Sequence, residues 1–156
     1  MRRYLVGVAA VAAALSLPAA AAAKGPSSAS ITGPGLDRHL EMAGDGEMGP
    51  GTLGTLVSLG GFMAQMYGQT PSATLKAQPR GSTLGPRYRI VYTVPGPNAI
   101  RSRVIQLLYP YAKPVPLTYM KPGQTYWGTR KTLGGWFRSS TALTRALVQA
   151  GLPTRR

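Results

Sequence analysis

The sequence predicts a small α+β domain: an antiparallel sheet of three to four strands with one central helix and a C-terminal helix. Three stretches carry that expectation. "RYRIVYTV" (87–94) alternates apolar and polar residues with the period of two of a half-buried strand. "TLGTLVSLGGFMAQMYG" (52–68) instead repeats Leu53, Leu56, Leu59, Phe62, Met63 and Met66 at the three- and four-residue spacing of one helix face. "STALTRALVQAGLP" (140–153) reads as a second helix with both of its stop signals present.

Taken in order, residues 1–23 form a targeting segment. Arg2 and Arg3 precede an apolar run from Leu5, and Ala21-Ala22-Ala23 offers the small side chains that signal peptidase requires. Cleavage after Ala23 would leave Lys24 as the first residue. The rival reading is a retained anchor, because Leu5 to Ala23 spans 19 residues, near the lower limit for crossing a bilayer. Residues 24–51 read as an extended acidic segment, with Ser30-Ile31-Thr32 as a short strand and "LDRHLEM" (36–42) as a strand or a helical turn. Residues 52–86 hold the central helix, weakened by Gly54, Gly60 and Gly61, and then a linker rich in Pro, Gly and Ser.

Residues 87–156 form a basic sheet and the C-terminal helix. "IRSRVIQLLY" (100–109) fits a helix face by spacing. Its β-branched content and the Pro95-Gly96-Pro97-Asn98 turn before it favour a hairpin strand. Pairing Tyr92 with Val104 would put Arg87, Arg89, Arg101 and Arg103 on one face, and a one-residue slip would scatter them. "YPYAKPVP" cannot be a central strand, since its prolines lack ladder donors. "LTYM" (117–120) is a third strand, Pro122-Gly123 a type II turn, and "QTYWG" a returning fourth. Ser139 or Ser140 caps a helix near 140–150, whose face carries Leu143, Ala146, Leu147 and Ala150 and which Gly151 and Pro153 end. All of 24–156 reads as a single domain.

Charge is the strongest compositional signal. The chain has 18 Lys and Arg against 4 Asp and Glu, a net charge of +14, which falls by two if Arg2 and Arg3 are removed. All the acids lie between Asp37 and Glu47, and after Met48 there are 14 basic residues and no acid. So one-sided a surface points to a polyanion as well as to solubility. The candidate partners of an exported chain are an anionic wall polymer, lipid headgroups, an acidic glycan and, less naturally, nucleic acid. In "GQTYWGTRKTLGGWFRSS" (123–140), Trp127 and Trp136 flank Arg130 and Lys131 with no acid between them. That arrangement suits stacking on rings beside neutralised anions. Trp136 and Phe137 alternatively pack beneath the C-terminal helix, and alternation leaves one of Tyr126 and Trp127 facing solvent.

The segments "SITGPGLDRHLEM", "LGPRYRIVYTVPG", "LLYPYA", "PGQTYWGTRKTLGGWF" and "LVQAGLP" give the chain a resemblance to a group of small exported actinobacterial proteins of unknown function. The resemblance covers most of residues 24–156. It implies export and a single module, and carries no active site.

Catalytic signals are sparse. With no cysteine, disulfides, thiolate nucleophiles and thiolate metal sites are excluded. No GxSxG elbow, P-loop or EF-hand spacing occurs, and no cofactor or metal is called for. His39, between Asp37 and Glu41, is the one candidate general base, and a small secreted hydrolase using it is the rival function. The favoured reading is a non-catalytic, exported envelope-associated or secreted protein. Its anionic ligand would meet Arg87, Arg89, Arg101, Arg103, Trp127, Arg130 and Lys131.

Overall fold

The alternation in 87–94 sets the frame of the molecule. The computed structural model describes residues 25–46, 49–68 and 74–154. The segment 1–23 expected to be a signal, Glu47 and linker residues 69–73 lie outside them. The strands are β1 (Ser28–Thr32), β2 (Leu40–Ala43), β3 (Tyr88–Pro95), β4 (Arg101–Tyr109), β5 (Leu117–Met120), β6 (Thr125–Tyr126), β7 (Arg130–Lys131) and β8 (Gly135–Arg138). The helices are α1 (Thr52–Leu59), α2 (Phe62–Tyr67) and α3 (Thr141–Gln149). One antiparallel sheet runs β2-β1-β3-β4-β5-β8, and β6 and β7 pair separately.

The chain is α+β, and the sheet has six strands rather than three or four. The acidic N-terminal segment is part of that sheet, because β1 pairs with β3 at Ala29↔Tyr92 and Ile31↔Ile90. "LDRHLEM" contributes the edge strand β2. The returning "QTYWG" does not join the main sheet. Its Thr125 and Tyr126 pair with Lys131 and Arg130, and "GWFR" becomes the sixth strand.

Tyr88, Ile90, Tyr92, Val94, Val104 and Leu108 face the helices and bury against Leu53, Leu56, Phe62, Met66, Leu143 and Leu147. The predicted central helix is two helices. Gly61 has φ 72, a conformation that breaks the helix, and a Cβ there would overlap the Phe137 ring. The break exposes the Gly60 carbonyl to the sheet, where Gln106 Nε2 and Thr118 Oγ1 donate to it at 2.9 and 2.8 Å. Gln106 Nε2 also donates to Gln65 Oε1, Tyr92 OH donates to Gln106 Oε1 at 2.8 Å, and Gln65 Nε2 donates to the Gly135 carbonyl at 2.8 Å. This fully buried polar network bolts the kink to the sheet centre. Burial pushes the Tyr92 phenol well above its ordinary pKa.

α3 docks through Leu143 and Leu147, with Ser140 at its N-cap position and Gly151 at φ 115 beyond its end. Ser139 is used differently: its hydroxyl donates to the Leu59 carbonyl at 2.7 Å.

Candidate functional site

Tyr92 pairs with Val104, so Arg89, Arg101 and Arg103 share the sheet face turned away from the helices, and Arg87 stands exposed just before β3. The register also spreads them. Arg89 lies opposite Leu107 and Arg103 opposite Thr93, which is about 13 Å along the strands. That exceeds the screening length of about 8 Å at physiological salt. The arginines therefore form two pairs: Arg87 with Arg89 at one end of the hairpin, and Arg101 with Arg103 at the other.

The second pair has company. β5 stops at Met120 opposite Gln106, and the β6–β7 ribbon runs beside the remaining half of β4. Gln124 holds it there, its Oε1 accepting from Ile105 N–H at 2.8 Å and its Nε2 donating to the Ile105 carbonyl at 2.7 Å. Further along, Trp127 N–H donates to Ser102 Oγ at 2.8 Å and Trp127 Nε1 donates to the Pro95 carbonyl at 3.0 Å. The indole lies so close to Gly96 that a Cβ there would overlap it. Trp127 itself has φ 48, which turns the ribbon at this point. Arg130 reaches back to within 6.0 Å of the indole centroid, and Lys131 Nζ donates to Thr125 Oγ1. Arg101, Arg103, Arg130 and Lys131 are all exposed at this end of the sheet. None forms a salt bridge with a described carboxylate; the one found among described residues joins His39 and Glu41.

Trp127 is no open platform. It is half-buried, packed against Tyr67 and Tyr126 at centroid distances of 6.2 and 5.3 Å. Tyr126 is buried and Trp127 half-buried, so neither ring is presented freely to solvent. Trp136 and Phe137 separate. Phe137 turns toward the Gly61 kink, whereas Trp136 lies on the opposite face, 5.7 Å from Tyr109 and 4.8 Å from Tyr119. This row of three rings, flanked by Leu84, Leu107, Leu117 and Val115, is a second small core. Its signal was the alternation of β5 and β8, which puts Tyr119 directly opposite Trp136.

His39 has a different setting. Ser30 Oγ donates to Glu41 Oε1 at 2.7 Å, and both groups approach the same ring nitrogen, Nδ1, at 3.4 and 3.6 Å. A serine relay needs the hydroxyl on one ring nitrogen and the carboxylate on the other. Here the hydroxyl proton goes to the carboxylate, and the imidazole is 67% exposed. Asp37 is exposed on the turn before it. Two surface depressions, about 370 Å³ beside Lys113, Thr144 and Arg145 and about 560 Å³ beside Pro34, Tyr88 and Pro153, are lined by no carboxylate or histidine. Among the described residues no three His, Asp or Glu side chains gather as metal ligands would. Compared with known proteins, the chain matches no family model, no curated protein and no solved structure.

Proposed function

We propose that this chain is an exported, non-catalytic envelope-associated or secreted protein that binds anionic polymers or surfaces electrostatically. The observation that supports this best is the gathering of Arg101, Arg103, Arg130 and Lys131 at one end of the sheet without a described carboxylate partner. Counterions held there would be released on binding, so affinity falls steeply with salt and little with polymer sequence. The test is retention on anionic wall polymer, acidic glycan and nucleic acid across a salt series. Arg101→Gln with Arg103→Gln should lower the slope of log affinity against log salt by roughly 0.7–0.9 per lost phosphate contact. Arg89→Gln should change it less. Absence of retention at low salt on every polymer would refute the proposal. The rival reading, hydrolysis through His39 with Asp37 or Glu41, is met by assaying the His39→Ala protein: hydrolase activity lost on that change would favour the rival.

A further inference from the structure

We infer that the cationic end of the sheet docks on an anionic lipid surface, with Ile100 entering the bilayer interface. The inference rests on the electrostatic reading above and narrows its ligand to lipid headgroups. Two independent features select a membrane over a soluble polymer.

The first is where the chain enters the fold. Ser27 N–H donates to the Thr93 carbonyl at 2.9 Å and Gly46 N–H to the Pro26 carbonyl at 3.0 Å. β1 pairs antiparallel to β3 from Ser28↔Thr93, so Gly25 and Pro26, both buried, lie level with Pro95 at the hairpin tip. In the sequence only Lys24 separates Gly25 from the apolar run Leu5–Ala23. If that run is retained as an anchor, so short a connection holds this end of the domain against the bilayer.

The second feature is the tip itself. Pro97, Asn98 and Ala99 are exposed, and Ile100, 41% exposed, is one of two large exposed apolar residues among those described. Asn98 and Ala99 have φ 54 and 60, giving the tight turn that projects beyond the sheet. Arg101 and Arg103 follow Ile100 at about 3 and 10 Å along the strand, the depth over which an interfacial segment meets headgroups. Trp127 lies behind the tip with its Nε1 on the Pro95 carbonyl. Arg130 and Lys131 widen the cationic ring, and clustered basic residues beside a bilayer are drawn to anionic lipid. The nearest described acid on this end is Asp45, which follows the edge strand β2, three strands from β4 and so about 14 Å away.

The chain contains no cysteine, so one introduced thiol takes a label uniquely. Full chains carrying Ile100→Cys or Thr154→Cys are labelled with nitrobenzoxadiazole and reconstituted with vesicles of equal parts phosphatidylcholine and phosphatidylglycerol. Thr154 is the distal control, since Pro153 packs against Gly35 in the turn between β1 and β2 at the opposite end. The label at position 100 should shift to the blue and react with aqueous dithionite several-fold more slowly than the label at 154. Phosphatidylcholine alone, added salt, or Arg101→Gln with Arg103→Gln should remove that difference. Equal reactivity at the two positions on the mixed vesicles overturns the inference, as does equal shielding on phosphatidylcholine alone. The labelled proteins are also passed over an anionic wall-polymer resin and a nucleic-acid resin. Retention there without shielding on vesicles leaves the electrostatic reading standing and sinks the lipid one. Loss of both sinks both.

Discussion

Replacing Gln106 with leucine removes little volume but disconnects the network at the helix kink. Gln106 accepts from the Tyr92 hydroxyl and donates to Gln65 Oε1 and the Gly60 carbonyl. The Gly60 carbonyl keeps Thr118 Oγ1 as a donor. Two groups lose the partner described for them, the Tyr92 hydroxyl and Gln65 Oε1, and both residues are fully buried. Each orphaned buried group costs about 1–3 kcal/mol, so Gln106→Leu should destabilise the fold by about 2–6 kcal/mol. Against a typical domain stability of about 5–15 kcal/mol that is a large loss. Adding Tyr92→Phe removes one orphan, so the double variant should regain about 1–3 kcal/mol relative to Gln106→Leu. Urea unfolding followed by circular dichroism, with slopes checked for constancy, reads all four corners of the cycle. A double variant no more stable than Gln106→Leu would refute the claim that these two side chains depend on each other.

Alkali should weaken the same region. The Tyr92 phenol is raised by burial, so above about pH 10 the unfolded chain gives up this proton while the folded chain keeps it. Stability present below that pH is lost as pH rises beyond it, by up to about 1.4 kcal/mol per unit, and Tyr92→Phe should remove that share of the slope in urea titrations. Leu147→Asp buries an unpaired charge where Leu147 has no exposure and should cost several kcal/mol, on the order of 3–5. Arg145→Ala, on the exposed side of α3, should leave the melting temperature nearly unchanged, and equal melting of the two would deny the docking of α3. Gly61→Ala and Gly123→Ala both force alanine to positive φ, but only the first meets a ring, that of Phe137. Thermal melts should show Gly61→Ala the worse by at least about 1 kcal/mol.

Strand β3 was legible because Tyr88, Ile90, Tyr92 and Val94 alternate, whereas 100–109 fits a helix face by spacing and reads as a strand only through its β-branched content and the turn before it; the face shared by the arginines followed from pairing Tyr92 with Val104. The same register sets their spacing, with Arg89 opposite Leu107 and Arg103 opposite Thr93, and so divides them into two pairs. The helix break was hidden because Gly60 and Gly61 fall inside a run whose apolar spacing continues undisturbed to Met66. Only the backbone shows that Gly61 leaves the helical region. Gln65 lies off the apolar face of its helical pattern, so its burial was not announced. Gln106 shares its strand face with Val104 and Leu108, and what satisfies it there is the Gly60 carbonyl freed by a kink that the sequence did not show. The N-terminal strands were undercounted because four or five residues between glycine-rich turns carry little periodicity, and the long neighbour β3 organises them. The half-burial of Trp127 was not legible, because its contact Tyr67 comes from α2, more than fifty residues earlier.

Gln124 has a consequence beyond holding a ribbon in place. Where β5 ends, β4 would offer another copy of the chain a bare ladder edge, the usual template for uncontrolled strand pairing. The Gln124 carboxamide offers an acceptor and a donor in the spacing of a peptide group, and these occupy both Ile105 positions while its Nε2 also donates to the Lys121 carbonyl at 3.2 Å. A single side chain thus takes the place of a strand at Ile105 and closes that part of the β4 edge to another ladder. Alanine at position 124 would leave the fold's core untouched and its solubility compromised.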